Sequence, residues 1–369
     1  MKHYFLGTAA GWGKKERLMA RRAKGASGDT VALCKYLCQE YGGRQAIVTR
    51  NGRSAIAAAL TYGVEPKGEV IVNGLTCRAV VQGVQAAGFT PVYADIDREG
   101  LNFTAESLAK VAGPKTRAMI VQNTLGNMMD IREVEKFAKE RGLVLIEDLA
   151  HCVGRFYPDG REAGTVGELT VLSFGKEKSI DVVNGGAVVV RNSQIATIPA
   201  PVEGPLRAEE RRARWYPTFG AWYRALSYVK LNGVLMRILL ATGLVVKSAE
   251  GEVDFEKHGL ADWQAKMALM QLRGRSKLKD RPLREFYLVR DRDAVLQELK
   301  RAGYFFDGVW YDKPVGPARY YAEAKFPERK CPVAVEVAEK IVNLPNYYSE
   351  KVLAPARKII LRHREGENG

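Results

Sequence analysis

Between residues 45 and 190, short apolar runs alternate with amphipathic stretches, and that rhythm restricts the chain to a layered α/β architecture. Val70-Ile71-Val72, Pro91-Val92-Tyr93-Ala94, Ala118-Met119-Ile120-Val121 and Leu143-Val144-Leu145-Ile146 read as short buried strands. Helical patterns fall between them. The clearest opens at Asp130, a good N-cap residue with Glu133 three positions on. It places Ile131, Val134, Phe137 and Ala138 on one face and stops at Gly142. Strand–helix–strand repetition of this kind predicts a mostly parallel sheet sandwiched by helices, with ligands bound beyond the carboxyl ends of the strands.

At 369 residues the chain is too long for one small core. Four segments are expected: a basic N-terminal arm (1–30), a large α/β domain (31–199), an aromatic and apolar helical insertion (200–256) and a smaller C-terminal α/β domain (257–369). The insertion opens at Pro199 and Pro201. It passes a charged run and then carries Trp215, Tyr216, Phe219, Trp222, Tyr223 and Tyr228 before an apolar stretch to Val246. Arg237 interrupts that stretch, so its apolar runs are too short to span a bilayer. A helical hairpin packed on the body or on a second subunit is the expectation. The alternative is a peripheral contact of residues 215–246 with a membrane surface.

The formal charge is +15, with 57 Lys and Arg against 42 Asp and Glu. Six basic residues face one acidic residue between Lys14 and Lys24, and ten face five between Arg273 and Arg301. No zinc-finger, RNP-like or helix-turn-helix signature accompanies them, so nucleic acid is not the expected partner. Attraction to anionic substrates, to an anionic membrane surface, or plain solvation of helix faces accounts for the excess. Five scattered cysteines show no metal-ligand spacing and fit a reducing cytoplasm. The first residues, Met1 to Leu6, lack the apolar core of a secretory signal.

Chemistry concentrates in one region. Lys178 stands in Ser173-Phe174-Gly175-Lys176-Glu177-Lys178, thirty residues after Asp148 and shortly before Asn184-Gly185-Gly186. A primary amine condenses with an aldehyde, and a carboxylate elsewhere can hold a pyridine nitrogen protonated. Together they are the minimum that makes pyridoxal phosphate an electron sink. Asp148 follows an apolar run and should emerge at the carboxyl edge of the sheet; taken alone it reads as well as a helix cap. Gly52-Arg53-Ser54 precedes a helical pattern whose free N–H groups suit a phosphate. Gly185-Gly186 lets backbone approach a ligand closely or forms a turn.

Taken in order, these pieces resemble the DegT/DnrJ/EryC1/StrS family of pyridoxal-phosphate-dependent sugar aminotransferases, of fold type I. Ile146-Glu147-Asp148-Leu149-Ala150-His151 is similar to the family's I-E-D-x-A-(Gln/His). Ser173-Phe174-x-x-x-Lys178 with Asn184-Gly185-Gly186 is similar to its S-F-x-x-x-K…G-G. Pro91 to Asp97 fits P-V-F-x-D-I-D, and Leu260 to Ala265 fits M-S-x-x-Q-A. Cys331-Pro332 and Leu344-Pro345 match its last recurring stretch.

The resemblance implies that Lys178 holds the cofactor as an internal aldimine and moves the proton. It implies that Asp148 pairs with the pyridinium nitrogen and that His151 lies near the ring. Ser173 and backbone N–H groups at Gly52, Arg53 and Ser54 would hold the phosphate. It implies a homodimer that transfers an amino group, with glutamate as the expected donor, to a keto-sugar on an anionic nucleotide carrier. Keeping Lys178 argues against the family's dehydratase variants, which have histidine there. Four positions depart from the pattern. Gly52-Arg53 stands where many members have Gly-Thr, which would add a cation to the phosphate site or aim one toward the substrate. Cys77 stands where an aromatic often stacks on the cofactor. Asn123-Thr124-Leu125-Gly126 replaces H-x-x-G, and Lys257-His258-Gly259 replaces the loop that normally reaches across the dimer. The rival readings are a pyridoxal-phosphate enzyme for a lipid-linked or non-sugar ketone at a membrane, and a non-catalytic relative that keeps the fold.

Overall fold

The computed structural model describes residues 3–6, 12–245, 253–274, 282–306 and 308–365. Its centre is a seven-stranded sheet in the order Gln45–Thr49, Gly186–Val190, Leu169–Ser173, Val144–Asp148, Thr116–Val121, Glu69–Asn73, Thr90–Ala94. Only Gly186–Val190 runs against its neighbours; all the other pairings within the sheet are parallel. The four apolar runs read from the sequence all fall in this sheet, and its central strands are buried on both faces. Continuous burial explains why they read as unbroken Val, Ile and Leu runs instead of alternating ones. One large apolar cluster lies on each side of the sheet.

The helix expected after Asp130 spans Ile131–Glu140 and buries Ile131, Val134 and Ala138. Its cap differs in detail from a reciprocal box: the Asp130 side chain accepts from the Arg132 N–H. Gly142 ends it in the left-handed conformation, with the Leu143 N–H returning to the Ala138 carbonyl.

Residues 207–241 form two helices, Arg207–Ser227 and Asn232–Ala241, that pack on each other. The first also packs on the helix Lys14–Arg22 and buries Ala213, Pro217 and Phe219. Val246 and the six residues after it lie outside the described residues. In the C-terminal part, Arg284–Leu288 pairs antiparallel with Ile341–Pro345 under the helices Arg292–Arg301 and Glu350–Leu361, around a third apolar cluster. Near the N-terminus, Tyr4-Phe5 pairs parallel with Tyr304-Phe305 and joins that C-terminal layer. Two motif stretches meet where Asp95 accepts the N–H groups of Val333 and Ala334, at the start of the helix that follows Cys331.

Candidate active site

The carboxyl edge of the sheet gathers the expected residues. Asp148 ends its strand, and side-chain alternation sends it and Glu147 to opposite faces. Glu147 is wholly buried and structural: its carboxylate accepts from the Tyr157 hydroxyl and from the N–H groups of Gly164, Val166 and Gly167, each at 2.7 Å. Removing it would strand four buried donors at about 1–3 kcal/mol apiece. Asp148 accepts one N–H, from Ala150, at 3.0 Å. Desolvation raises its pKa, with the Ala150 hydrogen bond and the nearby Lys178 opposing the rise.

Lys178 Nζ lies 2.9 Å from His151 Nε2. The other ring nitrogen, Nδ1, accepts the N–H of Leu125 at 3.2 Å. A nitrogen that accepts carries no proton, so the neutral ring bears its proton on Nε2 and donates it to Lys178. The amine must then accept, which only its neutral form can do. Desolvation acts the same way on both groups. It lowers the pKa of Lys178, and it holds His151 well below its ordinary value, with Lys178 and Arg284 adding repulsion. A neutral amine is the nucleophilic form. Leu125 makes this possible by adopting a left-handed backbone (φ 57°) in the Asn123–Gly126 turn that replaces H-x-x-G.

Near these groups, across Ser173 and Gly175, is the start of the helix Gly52–Gly63. A Cβ on Gly52 would stand 2.8 Å from both Cβ and Oγ of Ser173, so glycine leaves the cradle in which that hydroxyl meets the helix N-terminus. The Asn51 side chain caps the helix by accepting the Ser54 N–H, which is therefore already engaged, and Ser54 Oγ accepts from the Asp254 N–H. Arg53 is buried with one guanidinium nitrogen 2.8 Å from Gln82 Oε1. Gly185-Gly186 serves close packing of the chain itself: a Cβ on Gly186 would meet the Asn51 carbonyl at 2.6 Å. Cys77 caps the next helix, its sulfur accepting the Ala79 N–H, and lies near Lys178. Lys257-His258-Gly259 folds onto its own chain, where His258 faces Asp254 and Glu203.

Three further residues enter the site from the C-terminal part. Trp310 lies 4.8 Å from Lys178 Nζ and 5.5 Å from the His151 ring. Arg284 stacks on Trp310 at 4.3 Å and pairs with Glu177 at 2.7 Å. Tyr311 is buried, accepts from Gln122 and sits near Asp148 and Cys77. Nothing local distinguished Trp310 and Tyr311 from the other aromatic residues of the chain, or Arg284 from the basic residues around it.

An amine and a carboxylate therefore lie close together at the carboxyl edge of the sheet without pairing directly, and a glycine-started helix end and a serine hydroxyl stand near them. These groups fit pyridoxal phosphate: amine for aldehyde, carboxylate for ring nitrogen, helix N-terminus for phosphate. Comparison with known proteins agrees. The sequence profile of the DegT/DnrJ/EryC1/StrS aminotransferase family matches residues 20–222. GDP-perosamine synthase of Caulobacter vibrioides is 32% identical over 195 residues, 53% of this chain and 52% of that protein. The match thus spans about half the length of that relative. PseC of Helicobacter pylori, an aminotransferase involved in the biosynthesis of pseudoaminic acid, superimposes with a TM-score of 0.66 at 19% identity, covering 98% of this chain and 99% of that one. E. coli GDP-4-keto-6-deoxy-D-mannose-3-dehydratase, solved with bound hydrated PLP, gives 0.65 at 15% identity over 98% and 100%. The fold is that of the type I pyridoxal-phosphate transferases. Within that class, the chain belongs to the DegT/DnrJ/EryC1/StrS aminotransferase family.

Proposed function

We propose that this protein is a pyridoxal-phosphate-dependent aminotransferase that moves the amino group of an amino acid, glutamate being the expected donor, onto a nucleotide-linked keto-sugar. The observation that carries this reading is the Lys178 amine, held 2.9 Å from His151 Nε2 and near the Asp148 carboxylate. When bound, pyridoxal phosphate supplies the electron sink that lets a proton leave the donor's α-carbon. Lys178 would hold the cofactor through its Nζ and, when free, would carry a proton between the donor's α-carbon and the cofactor. Asp148, charged and paired, keeps the ring nitrogen protonated. His151 Nε2 orients the lysine nitrogen, and Trp310 shields it from water. The start of Gly52–Gly63 and Ser173 hold the phosphate. The net charge draws an anionic sugar carrier toward the protein.

Retention of Lys178 favours amination over the dehydration named for the E. coli neighbour. The partial likeness to GDP-perosamine synthase favours a GDP-linked acceptor. With GDP-4-keto-6-deoxy-D-mannose as the first acceptor and other nucleotide-linked keto-sugars after it, glutamate should yield 2-oxoglutarate and amino-sugar in equal amounts. Acceptor-independent or absent 2-oxoglutarate with every such sugar would remove this reading. A homodimer, as in the family the sequence resembles, is part of the proposal.

A second reading concerns the helical hairpin. Trp222, Tyr228, Val229, Leu231, Val234 and Ile238 are exposed there, beside the exposed Lys230 and Arg237. No helix among the described residues is long and apolar enough to cross a membrane. The pattern instead suits contact with an anionic lipid surface. The protein should float with anionic liposomes and lose that property when Trp222, Leu231 and Ile238 are changed to serine; equal flotation of both forms would exclude it.

A further inference from the structure

The lysine loop contains two residues in a conformation that L side chains avoid. Glu177 has φ 62° and Val183 has φ 78°, and for a β-branched residue such a value is a genuine outlier. Local strain of this kind persists only where the surroundings over-determine it. Here one side chain does so at both places. Asp181 Oδ2 accepts the Glu177 N–H at 2.9 Å, and Asp181 Oδ1 accepts the Val183 N–H at 2.9 Å. We propose that Asp181 is the positioning residue of the reaction, its two carboxylate oxygens clamping the loop at both left-handed residues and so fixing where Lys178 stands. This rests on the reading of Lys178 as the residue that takes up pyridoxal phosphate.

The clamp is anchored from outside the loop. Gln271, on the helix Asp262–Arg273, receives the Asp181 N–H at 2.8 Å and donates to the Asp181 carbonyl at 2.8 Å. Two turns earlier on the same helix, Gln264 donates to the Val182 carbonyl at 2.9 Å and to Asn184 Oδ1 at 2.7 Å. The consequence reaches the amine by two routes. Lys178 follows Glu177 directly in the chain. The left-handed turn also carries the Glu177 carboxylate to Arg284 at 2.7 Å, and Arg284 backs Trp310, the wall beside Lys178 Nζ. Asp181 itself makes no hydrogen bond to that amine, so it acts through its neighbours.

A carboxylate offers two acceptors at once, whereas a carboxamide or a protonated carboxyl presents a donor to one of the two N–H groups. Desolvation raises the Asp181 pKa to about 6, against the hydrogen bonds from Glu177, Val183 and the Trp12 indole; the charges facing it are Glu177 and Lys176. Because the folded-state value lies above the ordinary 3.8, the folded protein binds the extra proton and Asp181 adds stability as pH falls through that interval. The clamp meanwhile loses an acceptor. Loop positioning and global stability thus respond to acid in opposite directions.

The test titrates the full-length protein with pyridoxal phosphate by absorbance from about pH 8 to about pH 5, with thermal midpoints measured in parallel. Asp181→Asn should bind at least roughly tenfold more weakly at the alkaline end, since misplacement of a reacting group is costly. Relative to wild type, its affinity profile should lack the inflection near pH 6. Asp95→Asn is the control, because Asp95 also accepts two backbone N–H groups in a place remote from the cleft; it should cost thermal stability and leave affinity alone. Should Asp181→Asn not fold, Gln271→Ala carries the test, with weaker binding expected in the same direction. Unchanged affinity and profile in the Asp181 variant, or unchanged affinity in Gln271→Ala where that variant carries the test, or an equal loss in Asp95→Asn, overturns the inference alone. Wild-type protein that binds no pyridoxal phosphate overturns both the inference and the reading beneath it.

Discussion

Lys178→Ala should leave a folded protein that neither develops the near-ultraviolet or visible absorbance of bound pyridoxal phosphate nor transfers an amino group. Activity is expected to fall by about ten-thousandfold or more, because one substitution removes both the nucleophile and the proton carrier. Stability should change little, or rise, since the cleft no longer has to desolvate an amine whose charged form burial disfavours. Lys176, two residues away, cannot substitute. Its ammonium lies 4.0 Å over the Tyr216 ring, whereas Lys178 faces His151 and Trp310. Substantial activity in the alanine variant, measured as 2-oxoglutarate release, would refute the assignment.

Asp148→Asn separates function from stability more sharply. A neutral amide cannot hold the ring nitrogen protonated, so the rate should fall by about a thousandfold while cofactor is still captured. The cofactor-free protein should respond oppositely. Desolvation raises the Asp148 pKa above its ordinary 3.8, so the ionised carboxylate costs folding energy at neutral pH. Between the raised value and 3.8, the cofactor-free wild type gains stability from this group as pH falls. The asparagine variant should lack that gain and be at least as stable at pH 7. Thermal melts across that range, paired with turnover measurements, check both halves. A variant that keeps wild-type turnover, or that is strongly destabilised without cofactor at neutral pH, would contradict the role.

How much of this was legible beforehand follows from the range of the interactions involved. The buried strands and the Lys178, Asp148 and His151 constellation were readable because apolar runs and motif spacing are local signals. Gly52 and Ser173 were picked out separately, and the fold packs them against each other. The division of labour within the acidic pair was hidden until the strand's register sent Glu147 to Tyr157 and three backbone N–H groups. Gly185-Gly186 read either as close approach to a ligand or as a turn, and at Gly186 the close approach is to Asn51. The Ser54 N–H counted toward the phosphate site is taken by the Asn51 cap. Arg284 lay in a basic run that reads as solvated, yet it is 1% exposed beneath Trp310. The pairing of Tyr4-Phe5 with Tyr304-Phe305 joins segments about three hundred residues apart, and a two-residue strand carries no periodicity to announce it.

Borohydride reduction of the protein incubated with pyridoxal phosphate, followed by peptide mapping, addresses the central claim most directly. The pyridoxyl mass should appear on Lys178. Its appearance on Lys176 or another lysine instead, or its absence from the chain altogether, would show that the amine beside His151 is not where the chemistry begins.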